Sequence, residues 1–208
     1  MDPTSPRASG PDEPRPWPRE RSETGPDLLI ARARFLWLRN PRTGQSLRRM
    51  VLDVADWVNV VALTPERRLV VVRQYRFGSD TVTTEIPGGV IDLGEAPEAA
   101  ARRELREETG YTSERWTALG PVEPNPAFQN NLCHHYLAED VRKTHELELD
   151  PGEDIVVDTL DLDEVRARIR AGTIRHSLVV SALSRVLDLR LASDRGGRSP
   201  VDPPRAAR

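Results

Sequence analysis

Three glutamates, Glu104, Glu107 and Glu108, follow one another at spacings of three residues and one residue. On an α-helix these spacings place all three carboxylates on one face. Pro97 suits the first turn of such a helix, and Gly110 suits the left-handed position just past its end. The sequence therefore predicts a helix here that carries a stripe of negative charge.

Carboxylates crowded on one stripe repel one another. Each pair costs about 1 kcal/mol at 4 Å in water and about 4 kcal/mol at an effective dielectric constant near 20. A hard divalent cation would offset this repulsion, because Mg²⁺ prefers oxygen ligands and is often shared with substrate phosphates. The stripe predicts a Mg²⁺ or Mn²⁺ site for phosphoanhydride chemistry. The alternative is an ordinary solvated acidic helix face.

The glutamates belong to a longer pattern of fixed spacing. It reads G-x5-E-x7-R-E-φ-x-E-E-x-G-φ, where φ is apolar, and its fixed positions are Gly89, Glu95, Arg103, Glu104, Glu107, Glu108 and Gly110. This is the signature of the Nudix hydrolases, and the chain resembles that family. Seven matched positions are not explained by a solvated acidic face. Tyr111 replaces the aliphatic residue usual at the last position.

The resemblance implies roles for the charged residues of the helix. Glu104 and Glu108 would bind the metal directly, and Glu107 would assist, either on a second metal or through water. Arg103 would orient the glutamates and pair with Glu95. For Glu95, direct metal binding is the alternative to this pairing.

The resemblance also implies contributions from outside the helix. The loop at Gly89 would complete the metal shell with a backbone carbonyl. Glu153 would serve as general base or as an added metal contact, since ADP-ribose pyrophosphatases place a glutamate on the matching loop. Pro151 stands where that branch often has an acid, so Glu148 and Asp150 remain alternatives for the base.

Other residues resemble the branch of the family that hydrolyses ADP-ribose and nucleoside diphosphate sugars. Arg76, at the basic end of a strand before the pattern, could clamp a phosphate with two hydrogen bonds. Glu85 could accept hydrogen bonds from a ribose or support the metal. For both residues the alternative is a plain charged residue at a strand end. Pro126, in the long loop past the pattern, is typical of this branch.

Three more residues are candidates for substrate binding. Trp57 opens a strand and could stack on a nucleobase, with core packing as the alternative. Asn130 and Asn131 end the long loop 123–131 and could contact the sugar or a terminal phosphate. Turn formation is the alternative for the asparagines.

Composition limits the class of protein. The formal net charge of −3 gives no electrostatic case for binding nucleic acid. We expect no transmembrane span and no signal peptide. The single cysteine, Cys133, excludes an internal disulfide and is typical of the cytoplasm. Members of this branch commonly dimerise through N-terminal strands, so Phe35 and Trp37 are expected either at a homodimer interface or in the core of one subunit.

The hydrophobic pattern predicts seven strands, at 30–38, 46–54, 57–63, 69–75, 116–122, 132–138 and 155–160. Helices are predicted at the glutamate pattern, from Asp161 to before Gly172, and over 177–191. Strands on both sides of the first helix predict an α/β (α+β) sandwich with a mixed sheet. The resemblance implies the same architecture, a Nudix-type α/β/α sandwich.

Both ends of the chain are rich in proline, glycine and arginine and poor in apolar residues. Such segments cannot bury enough surface to offset the entropy of ordering. We therefore expect a disordered tail over 1–27, one Nudix domain over 28–192 and a second disordered tail over 193–208.

The predicted activity is metal-dependent hydrolysis of the pyrophosphate bond of ADP-ribose or a related nucleoside diphosphate sugar. The products would be a nucleoside monophosphate and a sugar phosphate. Phe128 favours one alternative, hydrolysis of dinucleoside polyphosphates or modified nucleotides. The other alternative is a non-catalytic nucleotide sensor, against which stands the complete set of glutamates.

Overall fold

The computed structural model describes residues 13–190, which form eleven strands and three helices. The strands are β1 (Arg19–Asp27), β2 (Arg32–Arg39), β3 (Ser46–Asp53), β4 (Trp57–Leu63), β5 (Leu69–Arg76), β6 (Thr81–Glu85), β7 (Tyr111–Thr112), β8 (Arg115–Val122), β9 (Cys133–Glu139), β10 (Arg142–Lys143) and β11 (Val156–Leu160). The helices are α1 (Pro97–Thr109), α2 (Leu162–Arg170) and α3 (Ser177–Ser184). The predicted tail over 193–208 lies outside the described residues.

A six-stranded mixed sheet forms the centre of the domain. Five strands run in the order β11-β5-β4-β9-β8, and β6 also pairs with β5. Strands β4 and β9 are parallel, and the other pairs are antiparallel. Two parallel neighbours need a long crossover connection. Here the chain between them includes α1, which brings this helix onto one face of the sheet.

Strand β4 is buried on both faces, which explains its continuous apolar sequence. Alternate side chains of a strand point to opposite faces. Val58 and Val60 pack in a cluster with Leu105 of α1, whereas Val61 packs in a second cluster with Leu183 of α3. The sheet therefore lies between α1 on one side and α2 and α3 on the other, as the predicted α/β/α sandwich requires.

Helix α1 begins and ends where the sequence predicts. Pro97 occupies the first turn. Gly110 follows the helix with a φ of 72°, and its N–H donates to the carbonyl of Arg106. A Cβ at Gly110 would also lie 2.2 Å from the backbone oxygen of His145. Glycine is therefore required there both for the left-handed conformation and for the close approach of a neighbouring loop.

A separate antiparallel sheet of order β1-β2-β3 corrects the expectation of disorder over 1–27. The expectation is wrong for Arg19–Asp27, which pairs with β2 along its length. Its side chains are mostly exposed, so apolar burial could not predict the strand. The order comes from backbone pairing and from contacts such as Arg21, whose guanidinium lies 3.8 Å from the ring centre of Trp37. Residues 1–12 lie outside the described part of the chain.

The last helix is shorter than predicted. The expected helix over 177–191 ends at Ser184, and Leu191 lies outside the described residues. The N–H groups of Arg185 and Val186 bond to carbonyls three residues back, which tightens the chain into a turn. The Arg185 guanidinium then donates to the carbonyls of Gly120 and Pro121 on β8, at 2.9 Å and 3.2 Å.

His135 is buried in the middle of the sheet, with 0% of its surface exposed. It pairs with Asn59 on β4 and Gly120 on β8. Among the described residues neither ring nitrogen has a hydrogen-bond partner. Burial, helped by the positive charge of Arg185, lowers the pKa of His135 from 6.5 to about 4. The fold therefore holds this imidazole neutral.

Stability should fall as pH drops from 6.5 towards 4, because the unfolded chain binds a proton that the fold excludes. The contribution of His135 is about 1.4 kcal/mol per pH unit within that window. Urea unfolding across this range should give a shallower pH dependence for His135→Leu than for the wild type. A His145→Gln control changes an exposed histidine and should keep the wild-type slope. Equal slopes for the wild type and His135→Leu would contradict the assignment.

Candidate active site

The loop that precedes α1 lies against β4 through its backbone. The N–H groups of Val58 and Val60 donate to the carbonyls of Gly89 and Pro87, at 2.9 Å and 2.8 Å. A Cβ at Gly88 would lie 2.1 Å from the backbone oxygen of Val58. A side chain at this position would therefore push the loop off the strand, which explains the first glycine of the pair.

The same loop closes on two glutamates of α1. The Gly88 N–H donates to Glu108 Oε2 at 2.9 Å. A Cβ at Gly89 would lie 2.4 Å from Glu104 Oε1. The two glycines thus let the loop backbone contact the carboxylates directly. This contact explains why the pattern has glycine ahead of the helix.

Glu104 and Glu108 are buried, with 8% and 3% of their surfaces exposed. Burial raises the pKa of Glu108 to about 8. The hydrogen bond from the Gly88 N–H acts to lower this pKa, whereas the charges of Glu104 and Glu153 act to raise it. The pKa of Glu104 is also raised, first by burial and then by nearby carboxylates, with Arg103 opposing. A carboxylate pair with raised pKa values is a strong sign of a functional site.

Arg103 connects the acidic residues. Its Nε and Nη2 donate to the two oxygens of Glu95, at 3.0 Å and 2.9 Å. Its Nη1 donates to Glu104 at 2.8 Å and to Glu107 at 3.3 Å. The Asp92 N–H also donates to Glu95, at 3.1 Å. Of the two alternatives for Glu95, the structure has the one in which it pairs with Arg103.

The donor chemistry fits a divalent cation, although the cage is not preformed. Within residues 13–190 no three His, Cys, Asp or Glu side chains surround a common point closely enough to hold a metal. The Nη1 group of Arg103 instead lies between Glu104 and Glu107. Crowded, buried carboxylate oxygens are the donors that Mg²⁺ and Mn²⁺ prefer. A cation there would offset both the burial of these charges and the repulsion between them, the two effects that raise the pKa values of Glu104 and Glu108.

Glu85 and Arg76 form a second charged pair beside the carboxylates. Glu85 is 2% exposed, and Arg76 donates to its two oxygens at 2.8 Å and 2.7 Å. Thr83 donates to Glu85 at 2.6 Å. Burial acts to raise the pKa of Glu85, but these hydrogen bonds lower it on balance. Glu85 is therefore engaged with Arg76, whose guanidinium is close enough to Glu108 and Glu153 to be affected by their charges.

Glu153 lies in an exposed turn of the loop before β11. Its N–H donates to the Asp150 carbonyl, and its Oε2 accepts from the Asp150 N–H, both at 2.9 Å. Its negative charge contributes to the raised pKa values of Glu104 and Glu108. The alternative bases have contacts of their own. Asp150 forms the turn, and Glu148 lies beside Arg106 at 3.4 Å.

The two asparagines of loop 123–131 hold that loop to the chain between β3 and β4. Asn130 accepts from the Val54 N–H at 3.1 Å and donates to Asp53 at 2.8 Å. Asn131 is 2% exposed and donates to the Ala55 carbonyl at 3.0 Å. These bonds join the loop to a distant segment of the chain and are not the turn formation that is the alternative to substrate binding.

Trp57 is half-buried at the start of β4, where its backbone N–H donates to the Leu132 carbonyl at 2.9 Å. It also bridges to Val90 of the loop ahead of α1. This position lies next to the loop that carries Gly88 and Gly89, and it suits both core packing and stacking on a base.

Two residues at the site were not anticipated from the sequence. Thr83 lies on β6, a strand that was not predicted, and it holds Glu85. Arg106 donates to Glu107 at 2.9 Å, although adjacent residues on a helix do not normally face each other. A cavity of about 400 Å³ is lined by the arginines of α1 and Trp116 rather than by Glu104 or Glu108.

Several known proteins resemble this chain in sequence or in fold. The family model described as NUDIX domain matches residues 55–179. The chain is 34% identical over 122 residues to "ADP-ribose pyrophosphatase" of Bacillus subtilis (strain 168), across 58% of this chain and just under two thirds, 66%, of that protein. It is 35% identical over 141 residues to "Methanol dehydrogenase activator" of Bacillus methanolicus, across 67% of this chain and 76% of that protein.

A solved structure described as "Crystal structure of ADP compounds hydrolase" superposes with a TM-score of 0.73 at 21% sequence identity. The match covers 84% of this chain and 94% of that chain, and it confirms the predicted fold. Among residues 13–190 no helix is both long enough and apolar enough to cross a membrane. Since the family model spans more than half of the 208 residues, the chain belongs to the NUDIX domain family.

Proposed function

We propose that the protein is a metal-dependent hydrolase that cleaves the pyrophosphate bond of ADP-ribose or a related nucleoside diphosphate sugar. Water adds across the phosphoanhydride, and the products are a nucleoside monophosphate and a sugar phosphate. The observation that carries this proposal is the buried pair Glu104 and Glu108 beneath a glycine backbone. The similarity to the Bacillus subtilis protein named as an ADP-ribose pyrophosphatase supports the choice of substrate.

Glu104 and Glu108 would hold the metal, Mg²⁺ or Mn²⁺, with Glu107 and the Gly89 carbonyl as further donors. A bound divalent cation would lower the pKa of water and neutralise charge that develops on the pyrophosphate. Arg103 would keep Glu107 in register, because its fork on Glu95 fixes the guanidinium while Nη1 contacts Glu107.

Glu153 would take the proton from the attacking water. Its Oε2 accepts from the Asp150 N–H, so Oε1 would be the oxygen that takes the proton. Arg76 would bind a phosphate oxygen, because Glu85 occupies only its Nε and Nη2 among the described contacts. Glu85 would then orient Arg76 instead of contacting a ribose. Trp57, Asn130 and Asn131 remain candidates for the base and sugar, with the asparagines shaping the loop rather than reaching freely into it.

We also propose a cytoplasmic homodimer that associates through the β1-β2-β3 sheet. Phe35 and Trp37 support this proposal, because both are only half-buried in one chain. Arg48 lies 3.8 Å from the ring centre of Phe35, so the exposed face of this sheet combines aromatic and cationic groups. The lone, buried Cys133 supports a reducing compartment.

Glu108→Gln should reduce hydrolysis by orders of magnitude, because it removes a charged ligand and keeps the side-chain volume. The assay measures nucleoside monophosphate released from ADP-ribose, GDP-mannose and UDP-glucose in Mg²⁺ or Mn²⁺, with and without a chelator. Glu98→Gln is the matched control, since Glu98 lies on the same helix but pairs with Arg102 on the surface. Absence of turnover for all three substrates with either metal would refute the proposed activity.

Gly89→Ala should reduce hydrolysis far more than stability, because the new methyl group meets the end of the Glu104 side chain, which can move aside. Gly88→Ala should instead unfold the protein at lower urea, because its methyl group meets the Val58 backbone. Gly78→Ala is the control, with no atom within 4 Å of the added group. Wild-type hydrolysis by Gly89→Ala would show that the position of Glu104 is unimportant.

A further inference from the structure

The Glu107 carboxylate is held at both oxygens by arginines of its own helix. Arg103 Nη1 donates to Oε2 at 3.3 Å, and Arg106 Nη2 donates to Oε1 at 2.9 Å. Arg103 belongs to the family pattern, whereas Arg106 stands at an unspecified position within it. Residues i and i+1 of a helix do not normally face each other. The surroundings of Arg106 include a second carboxylate, on a neighbouring loop.

The loop after β10 provides those surroundings. The Oε2 of Glu148 lies 3.4 Å from Nη2 of Arg106, and the Glu148 N–H donates to the Glu107 carbonyl at 2.9 Å. Four residues earlier, the Thr144 N–H donates to the Gly110 carbonyl at 2.9 Å. Segment 144–148 is thus attached to the last turn of α1 by its backbone and by one ion pair.

The same segment leads directly to Glu153. Beyond Glu148 the chain makes the turn in which Glu153 and Asp150 exchange hydrogen bonds. Glu153 is the residue proposed above to take the proton from the attacking water. Arg106 is therefore the side chain that joins a glutamate of the helix to the loop carrying the candidate base.

We propose that Arg106 is a positioning residue of this site. It orients the Glu107 carboxylate and, through Glu148, anchors the loop that carries Glu153. The inference rests on the proposed function, because it assigns Arg106 a part in the same site. A guanidinium suits this part, since it is always charged and its Nη2 lies within reach of both carboxylates. The Nε atom of Arg106 is buried without a partner among the described residues, so its position depends on these charged contacts.

Binding of Mn²⁺ to the full-length protein, measured by isothermal titration calorimetry, tests the first part without relying on turnover. Arg106→Ala should weaken Mn²⁺ binding by about 10-fold to 100-fold, the usual effect of removing a partner that orients a metal ligand. Arg106→Lys should restore part of this loss, because it keeps the charge but not the fork. Arg102→Ala is the matched control. It removes an arginine of the same helix that pairs with Glu98 and does not contact Glu107.

Hydrogen exchange tests the second part. Arg106→Ala and Glu148→Gln should both speed exchange of the backbone amides between 148 and 153, while the amides of β4 keep the wild-type rate. Both variants keep the backbone hydrogen bond from Glu148 to Glu107. Unfolding midpoints in urea for Arg106→Ala and Arg102→Ala should agree, which separates positioning from a general loss of stability.

Wild-type Mn²⁺ affinity in Arg106→Ala, or an equal loss in Arg102→Ala, would overturn the role of Arg106. Unchanged exchange over 148–153 in Arg106→Ala would overturn the anchoring of the loop. A wild-type protein that binds Mn²⁺ but hydrolyses no nucleotide sugar would refute the proposed function and leave the comparison of variants intact. A wild-type protein that binds no Mn²⁺ would refute both.

Discussion

Two buried carboxylates, one helical turn apart, are the constraint on which the rest of the site depends. Glu104 and Glu108 lie where water is largely excluded, and burial raises both pKa values. Charges in such a place are costly unless an opposite charge or hydrogen-bond donors compensate. The chain itself supplies only part of that compensation, through the Gly88 N–H and Arg103 Nη1. With a pKa of about 8, Glu108 takes up a proton at neutral pH, and a bound cation would take the place of that proton.

The fold keeps these carboxylates in place by fixing both of their supports. Helix α1 packs on the sheet through Leu105, which is 0% exposed and lies between the two glutamates in sequence. The glycine loop pairs with β4 through Val58 and Val60. Since β4 is buried on both faces, neither support can shift without disturbing the core. The loop that carries Glu153 is also attached to the end of α1, by backbone hydrogen bonds and by the ion pair of Glu148 with Arg106.

The parts that the sequence predicts well are those with a local cause. Helix α1 follows from Pro97, Gly110 and good helix-forming residues between them, and β4 follows from a long apolar run. Spacing alone places Glu104, Glu107 and Glu108 on one face of α1. The pairing of Arg103 with Glu95 required the family resemblance, because nothing local indicates that residues eight apart would meet across a loop.

The parts that the sequence does not predict depend on contacts between distant or poorly apolar segments. Strand β1 is ordered by backbone pairing, which leaves no hydrophobic period to detect. The ion pair of Glu85 with Arg76 depends on the pairing of β5 with β6, and β6 is too short and too polar to be predicted as a strand. Asn130 and Asn131 are suited equally to turns and to sugars, and their observed bonds to the distant residues Val54 and Ala55 belong to neither expectation.

The central claim is that the buried glutamate pair holds the metal for hydrolysis. Its most direct test is a crystal structure grown with Mn²⁺ and a non-hydrolysable ADP-ribose analogue, using the anomalous signal to locate the ion. The account predicts a peak bound by Glu104 and Glu108, with Arg103 still forked on Glu95 and its Nη1 withdrawn from Glu104. A protein that binds the analogue with Mn²⁺ elsewhere, or with Arg103 still bridging Glu104 and Glu107, would contradict it.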